Sequence, residues 1–176
     1  MKPLEDMTQI EVAAFVQSYL KDQGIHVVLS GGAAVAFFSN NRYTSADVDL
    51  VNVYTVQRTR IRAAMTEIGF IEIGRYFKHP DSIFIVEFPP GPLTVGVEPV
   101  MEVQEVELET GILRIISPTD SIKDRLAAYY HWGDEQCLHQ AVLIRNAVEV
   151  DLQEIKRWSI GEGKEKEYNI FLATNE

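Results

Sequence analysis

The chain of 176 residues carries a formal net charge of −10, with 46% apolar and 24% charged residues. That length fits one domain with a sizeable core, and the apolar share is ordinary for a globular protein. The acidic balance argues against an extended DNA or RNA footprint, which needs many lysines and arginines. It leaves room for a nucleotide, because a bound cation inverts the local field, and for a small RNA on a local basic patch. The single Cys137 rules out an internal disulfide and fits a reducing compartment. Residues Met1 to Asp6 lack the apolar stretch of a signal peptide. The longest apolar run, near Val27 to Phe38, is interrupted by Ser30 and two glycines and is too short to span a bilayer. The expectation is a cytoplasmic protein without a membrane segment.

In chain order, Thr8 and Glu11 form a capping-box pattern at the head of a helix that Gly24 stops. Val27, Val28 and Leu29 then read as a buried strand, and Ser30-Gly31-Gly32 as a tight turn into a small-residue helix. The N-terminus of such a helix offers unpaired N–H groups and a partial positive charge, which suit phosphate. Glycines there let a ligand approach the backbone. A polar loop containing Arg42 leads to Ala46-Asp47-Val48-Asp49-Leu50, a second strand. Residues two apart on a strand face the same way, so Asp47 and Asp49 project together with Cα atoms about 6.5 Å apart. Two carboxylates so placed suit one or two Mg²⁺ ions. A phosphate cradle beside metal-binding acids is the equipment of phosphoryl or nucleotidyl transfer.

This stretch, GGAAVAFF followed by R-x-T-S-x-D-V-D-L, resembles the nucleotidyltransferase superfamily, and its wording is similar to the AbiEii-like toxin branch and its bacterial relatives. The resemblance runs from about Gly24 to Ile144. It implies an α+β fold with a nucleotidyltransferase-like mixed β-sheet and packed helices. It also implies binding of an NTP and of Mg²⁺, and a third carboxylate on a later strand.

Within Asn52 to Gly69, Ile61, Ala64, Met65 and Ile68 fall at helical spacing. Arg58 and Arg62 share a face of that helix, as a solvated pair or as a basic patch for triphosphate or RNA; Arg42 is the better phosphate candidate by position. Ile71 to His79 and Ser82 to Phe88 read as a hairpin turning at Pro80-Asp81. Its second strand is apolar on both faces and ends in Glu87, just before Pro89-Pro90. An acid there is conspicuous, since burying an unpaired charge is costly. Glu87 fits the third carboxylate of the family pattern, where Asp is commoner. A rim acid paired with Arg75 or Lys78 is the structural alternative, and Glu98 is the competing acid.

Residues Val95 to Ile116 hold two more strands joined near Glu109-Thr110-Gly111, with Glu105, Glu107 and Glu109 on a solvated face. Ser117-Pro118-Thr119-Asp120 is a helix start and Gly133 a stop. The segment Lys123-Asp124-Arg125-Leu126-Ala127-Ala128 resembles the AbiEii-like helix that sends a basic residue toward the nucleotide. In those relatives a Lys precedes Leu-x-Ala; Arg125 holds that place here and Lys123 lies two residues earlier, so both are candidates. His131-Trp132-Gly133-Asp134 departs from the family continuation. A helix from Glu135 to Val148 and a helical tail that frays at its end complete the chain.

The expected organisation is an α/β core over residues 1–116 and a C-terminal helical part over 117–176 of the same domain. The expected function is Mg²⁺-dependent transfer of an NMP from an NTP to an acceptor hydroxyl on RNA or protein. Asp47, Asp49 and Glu87 would be the catalytic and metal-binding acids, and Ser30, Gly31, Gly32, Arg42, Lys123 and Arg125 the nucleotide contacts. The resemblance implies the toxin of a toxin–antitoxin or phage-defence pair, with an antitoxin partner. The rival class is a binding or regulatory protein on the same fold with degraded catalysis.

Overall fold

Val27, Val28, Leu29 and Ser30 form β1 (Val27–Ser30), buried at all four positions in the computed structural model, which describes residues 2–100 and 102–176. Next to it runs β2 (Asp47–Asn52), antiparallel, with alternating half-buried and buried residues. The remaining main-sheet strands are β3 (Ile71–Ile73), β4 (Tyr76–Lys78), β5 (Ile85–Glu87), β8 (Val103–Leu108) and β9 (Gly111–Ile116). The mixed seven-stranded order is β3-β4-β5-β2-β1-β9-β8, with β2–β5 and β1–β9 parallel. A separate two-stranded ribbon joins β6 (Thr94–Val95) to β7 (Glu98–Pro99).

The period-2 alternation sorts the central strands into two faces. Val27, Leu29, Val48, Leu50, Val86, Leu113 and Ile115 enter one continuous core. They pack there with apolar residues of α1 (Gln9–Asp22), α2 (Gly31–Phe38) and α3 (Arg58–Glu67). Ser30, Asp47, Asp49 and Glu87 belong to the other face. Helix α1 opens with the expected capping box: Thr8 accepts from the Glu11 N–H, and the Glu11 side chain accepts from the Thr8 N–H. Gln17 of α1 donates to the Arg114 carbonyl at 2.7 Å and accepts from the Arg114 N–H at 2.8 Å. This amide ties α1 to β9, whose ladder with β1 consists of the one pairing Leu29–Ile115.

The C-terminal part contains α4 (Pro118–Trp132), α5 (Glu135–Ala147), α6 (Leu152–Gly161) and α7 (Glu165–Ala173). Ser117, Asp134 and Asp151 cap the first three by accepting backbone N–H bonds. Gly133, at φ 67°, ends α4 in the left-handed conformation that glycine adopts without a Cβ penalty. Tyr130 of α4 stacks on the fully buried Trp158 of α6 and shares a hydrogen bond with Ser159. These helices join the same core as the sheet.

Two expectations change. The stretch 71–88 is a three-stranded meander rather than one hairpin. Gly74, at φ 64°, splits the first run into β3 and β4, and β5 then pairs back on β4. Pro80-Asp81 lies in the second turn. Glu109 sits in the β8–β9 turn, so only Glu105 and Glu107 share the exposed strand face. As the sequence suggests, the tail is helical, with α6 and α7, and Arg145 donates to the carbonyls of Leu172 and Thr174 near its end.

Candidate active site

Asp49 stands at the centre of the non-core face. It lies opposite Ser30 on β1 and opposite Glu87 on β5, while Asp47 aligns with Ile85. Aligned residues on neighbouring strands face the same way, so the register brings Asp47, Asp49 and Glu87 to one side of the sheet. The corner at the end of β1 packs directly on this group. Gly31 has φ +65°, and a Cβ built there would lie 2.1 Å from Asp49 Oδ2. Both the backbone conformation and the lack of space demand glycine. Helix α2 starts here with no side-chain cap and no acid in its first turn, so the Asp49 carboxylate borders its positive end.

Gly32 behaves differently. A Cβ there would meet Ser45 Cβ and Oγ at 3.1 Å and Tyr43 Cε1 at 3.2 Å. Side chains of the connecting loop pack beside the Gly32 backbone. That loop is itself fastened to α1, since Gln9 Nε2 donates to the carbonyls of Ser45 at 2.8 Å and Asp47 at 2.9 Å.

Burial, reinforced by the charges of Glu87 and Asp47, pushes the Asp49 carboxyl up to about 6; the Arg125 charge opposes this. Mutually repelling, half-buried carboxylates are a donor set for a hard, oxygen-preferring cation such as Mg²⁺, and the residue types present fit that ion. Their third member is otherwise engaged. Arg75 Nε lies 3.3 Å from Glu87 Oε1, and among the described residues no three His, Cys, Asp or Glu side chains gather closely enough to hold a metal.

Of the two basic candidates on α4, Arg125 borders the acids. Its guanidinium is largely buried and held by Asp124 and, at 3.4 Å, by Gln140 Oε1, and its charge and that of Asp49 act on each other. Lys123 turns away into a buried cluster, 3.4 Å from Asp120 and 2.7 Å from Glu154. Arg42 pairs with Glu176 rather than reaching toward Asp49. Arg58 and Arg62 both clamp Glu72. Glu98 is bound by Arg157 at 2.7 Å and stands apart from the aspartates. Sequence reasoning missed Asp124, whose charge also acts on Asp49; its place beside Arg125 in the basic segment was the available signal.

The sheet order, the strand-corner-helix unit and the acid-bearing second strand define a nucleotidyltransferase-like α+β fold. The chain is similar to an antigenic nucleotidyltransferase-like protein from Paracoccidioides brasiliensis, at a TM-score of 0.56 and 18% identity over 81% of this chain and 78% of that one. At that identity the likeness is one of fold. ANT(2")-Ia, solved in complex with adenylyl-2"-tobramycin, aligns more loosely, with a TM-score of 0.43 and 15% identity over 80% of this chain and 98% of its own. No family model and no curated protein matches the chain. Among the described residues no helix is long and apolar enough to cross a membrane.

Proposed function

We propose that this protein transfers a nucleoside monophosphate from an NTP to an acceptor hydroxyl, with Mg²⁺ as cofactor. The observation that carries the reading is the position of Asp49, flanked by Asp47 and aligned with Glu87, against the Gly31 corner at the head of α2. Asp47, Asp49 and Glu87 would hold Mg²⁺, which supplies positive charge against the triphosphate. The N–H groups at the start of α2 and the Arg125 guanidinium orient the phosphates. Glu87, at the sheet rim, accepts the proton of the acceptor hydroxyl. The acceptor oxygen bonds to the α-phosphorus, and pyrophosphate leaves with the electron pair of the broken P–O bond.

The acceptor class, RNA or protein, is open to direct assay. The toxin role and an antitoxin partner draw their support from the sequence resemblance of residues 24–144. A cytoplasmic location draws its support from composition and from the buried free thiol of Cys137. The alternative, a regulatory protein that binds nucleotide without turnover, is favoured by the engagement of Glu87 with Arg75.

The test is incubation with labelled NTPs, Mg²⁺ and either total RNA or total protein, with pyrophosphate release and label transfer measured together. The double substitution Asp47→Asn, Asp49→Asn abolishes both signals. Unchanged turnover in a folded double variant refutes the proposal, and nucleotide binding without pyrophosphate release selects the alternative.

A further inference from the structure

The β3–β4 turn brings a positive charge to the acid face. Gly74 occupies its first central position with φ 64°, and Arg75 follows. The turn backbone is anchored: Arg58 Nη2 donates to the Arg75 carbonyl at 2.8 Å while Arg58 also binds Glu72 and lies over the Phe77 ring. The Arg75 side chain is by contrast 70% exposed. It lies over the Tyr76 ring, 4.8 Å from the centroid, and donates to the Tyr76 hydroxyl at 2.6 Å. Tyr76 aligns with Glu87 across the β4–β5 ladder. The aromatic ring therefore holds the guanidinium above the acid face. From there Arg75 reaches Glu87 at 3.3 Å, and the Asp47 charge acts on it too.

A guanidinium on a fixed turn beside Glu87 and within reach of the Asp47 charge neutralises part of the charge of the acid face. It also engages Glu87, the acid aligned with Asp49. We infer that Arg75 is the internal counter-ion of this site, a positioning residue that competes with a divalent cation for Glu87. Resting on the cation-binding role proposed above for the acids, this adds an order of events: a divalent ion gains its third carboxylate only as Arg75 lets go. The ion pair is exposed and screened, so the competition is modest.

The experiment is titration of the nucleotide-free protein with Mn²⁺, followed by electron paramagnetic resonance. Arg75→Gln should bind Mn²⁺ about two- to fivefold more tightly than the native protein, the range set by an exposed ion pair. Arg75→Lys should retain the native affinity, and the gain in Arg75→Gln should shrink as salt is raised. A purely structural Arg75 would give unchanged or weaker Mn²⁺ binding in Arg75→Gln, which overturns the inference. Asp47→Asn separates the two ideas. Loss of Mn²⁺ in that variant, with equal affinities in the native and Arg75→Gln proteins, overturns the role of Arg75 alone. Absence of Mn²⁺ binding in all of them overturns the acid site and the counter-ion together.

Discussion

Replacing Asp49 by asparagine should stabilise the cation-free protein at neutral pH. The Asp49 carboxyl is raised from 3.8 to about 6, by burial first and then by Glu87 and Asp47. The folded state thus holds a proton at Asp49 that the unfolded chain releases between those two values. Stability falls as pH rises through this window, and the full penalty applies above about pH 6. At about 1.36 kcal/mol per pH unit of displacement, the charged carboxylate costs the empty fold about 3 kcal/mol as an upper figure. Partial access of water to the site lowers that to about 1–3 kcal/mol. Asparagine keeps the shape without the charge. For a chain of this size the gain corresponds to about 3–10 °C in melting temperature. Thermal unfolding in chelator at pH 7.5 and pH 5.0 provides the measurement. Asp49→Asn should melt well above the native protein at pH 7.5, and about half of that gain should remain at pH 5.0. Added Mg²⁺ should raise the native protein and leave the variant in place. A variant less stable than the native protein at pH 7.5, or a gain equal at both pH values, would refute the reasoning.

Two further outcomes test the neighbouring groups. Gly31→Ala combines a left-handed backbone with a collision at Asp49, so equilibrium unfolding in urea should show a loss of about 2 kcal/mol or more; a near-neutral result would remove the corner. Lys123→Met and Arg125→Met should separate cleanly. The first leaves Asp120 and Glu154 without their lysine and lowers stability by about 1–3 kcal/mol with triphosphate-analogue affinity unchanged by calorimetry. The second weakens that affinity by about tenfold or more, and equal affinity losses in both would contradict the orientation of α4.

The parts of the site legible in the sequence are those made by local physics. A short apolar run, a glycine corner and an i, i+2 acid pair follow from strand period and backbone sterics, and β1, α2 and β2 lie where those signals put them. Glu87 entered through resemblance and its place before two prolines. Its alignment with Asp49 depends on a parallel pairing between strands 38 residues apart, which periodicity does not encode. The same limit explains the misread meander, because one glycine at positive φ interrupts a run that otherwise alternates as a strand. Lys123 and Arg125 are two residues apart on a helix and so point to nearly opposite sides; the choice between them is made by Glu154, contributed by α6. Arg42 looked free to meet phosphate because its partner lies 134 residues away in sequence.

The bond between Gln17 and Arg114 has a bearing on how the molecule opens. With a single residue pair joining β9 to β1, the β8–β9 hairpin is held chiefly by α1, through packing and that side-chain amide. Proteins open in cooperative units whose boundaries follow such thin seams. Helix α1 bridges that seam, because Gln17 also donates to the Val27 carbonyl of β1 at 3.4 Å and Gln9 to the Asp47 carbonyl of β2 at 2.9 Å. In amide hydrogen exchange the Arg114 N–H would report the seam itself, because its acceptor is a helix side chain rather than a strand carbonyl.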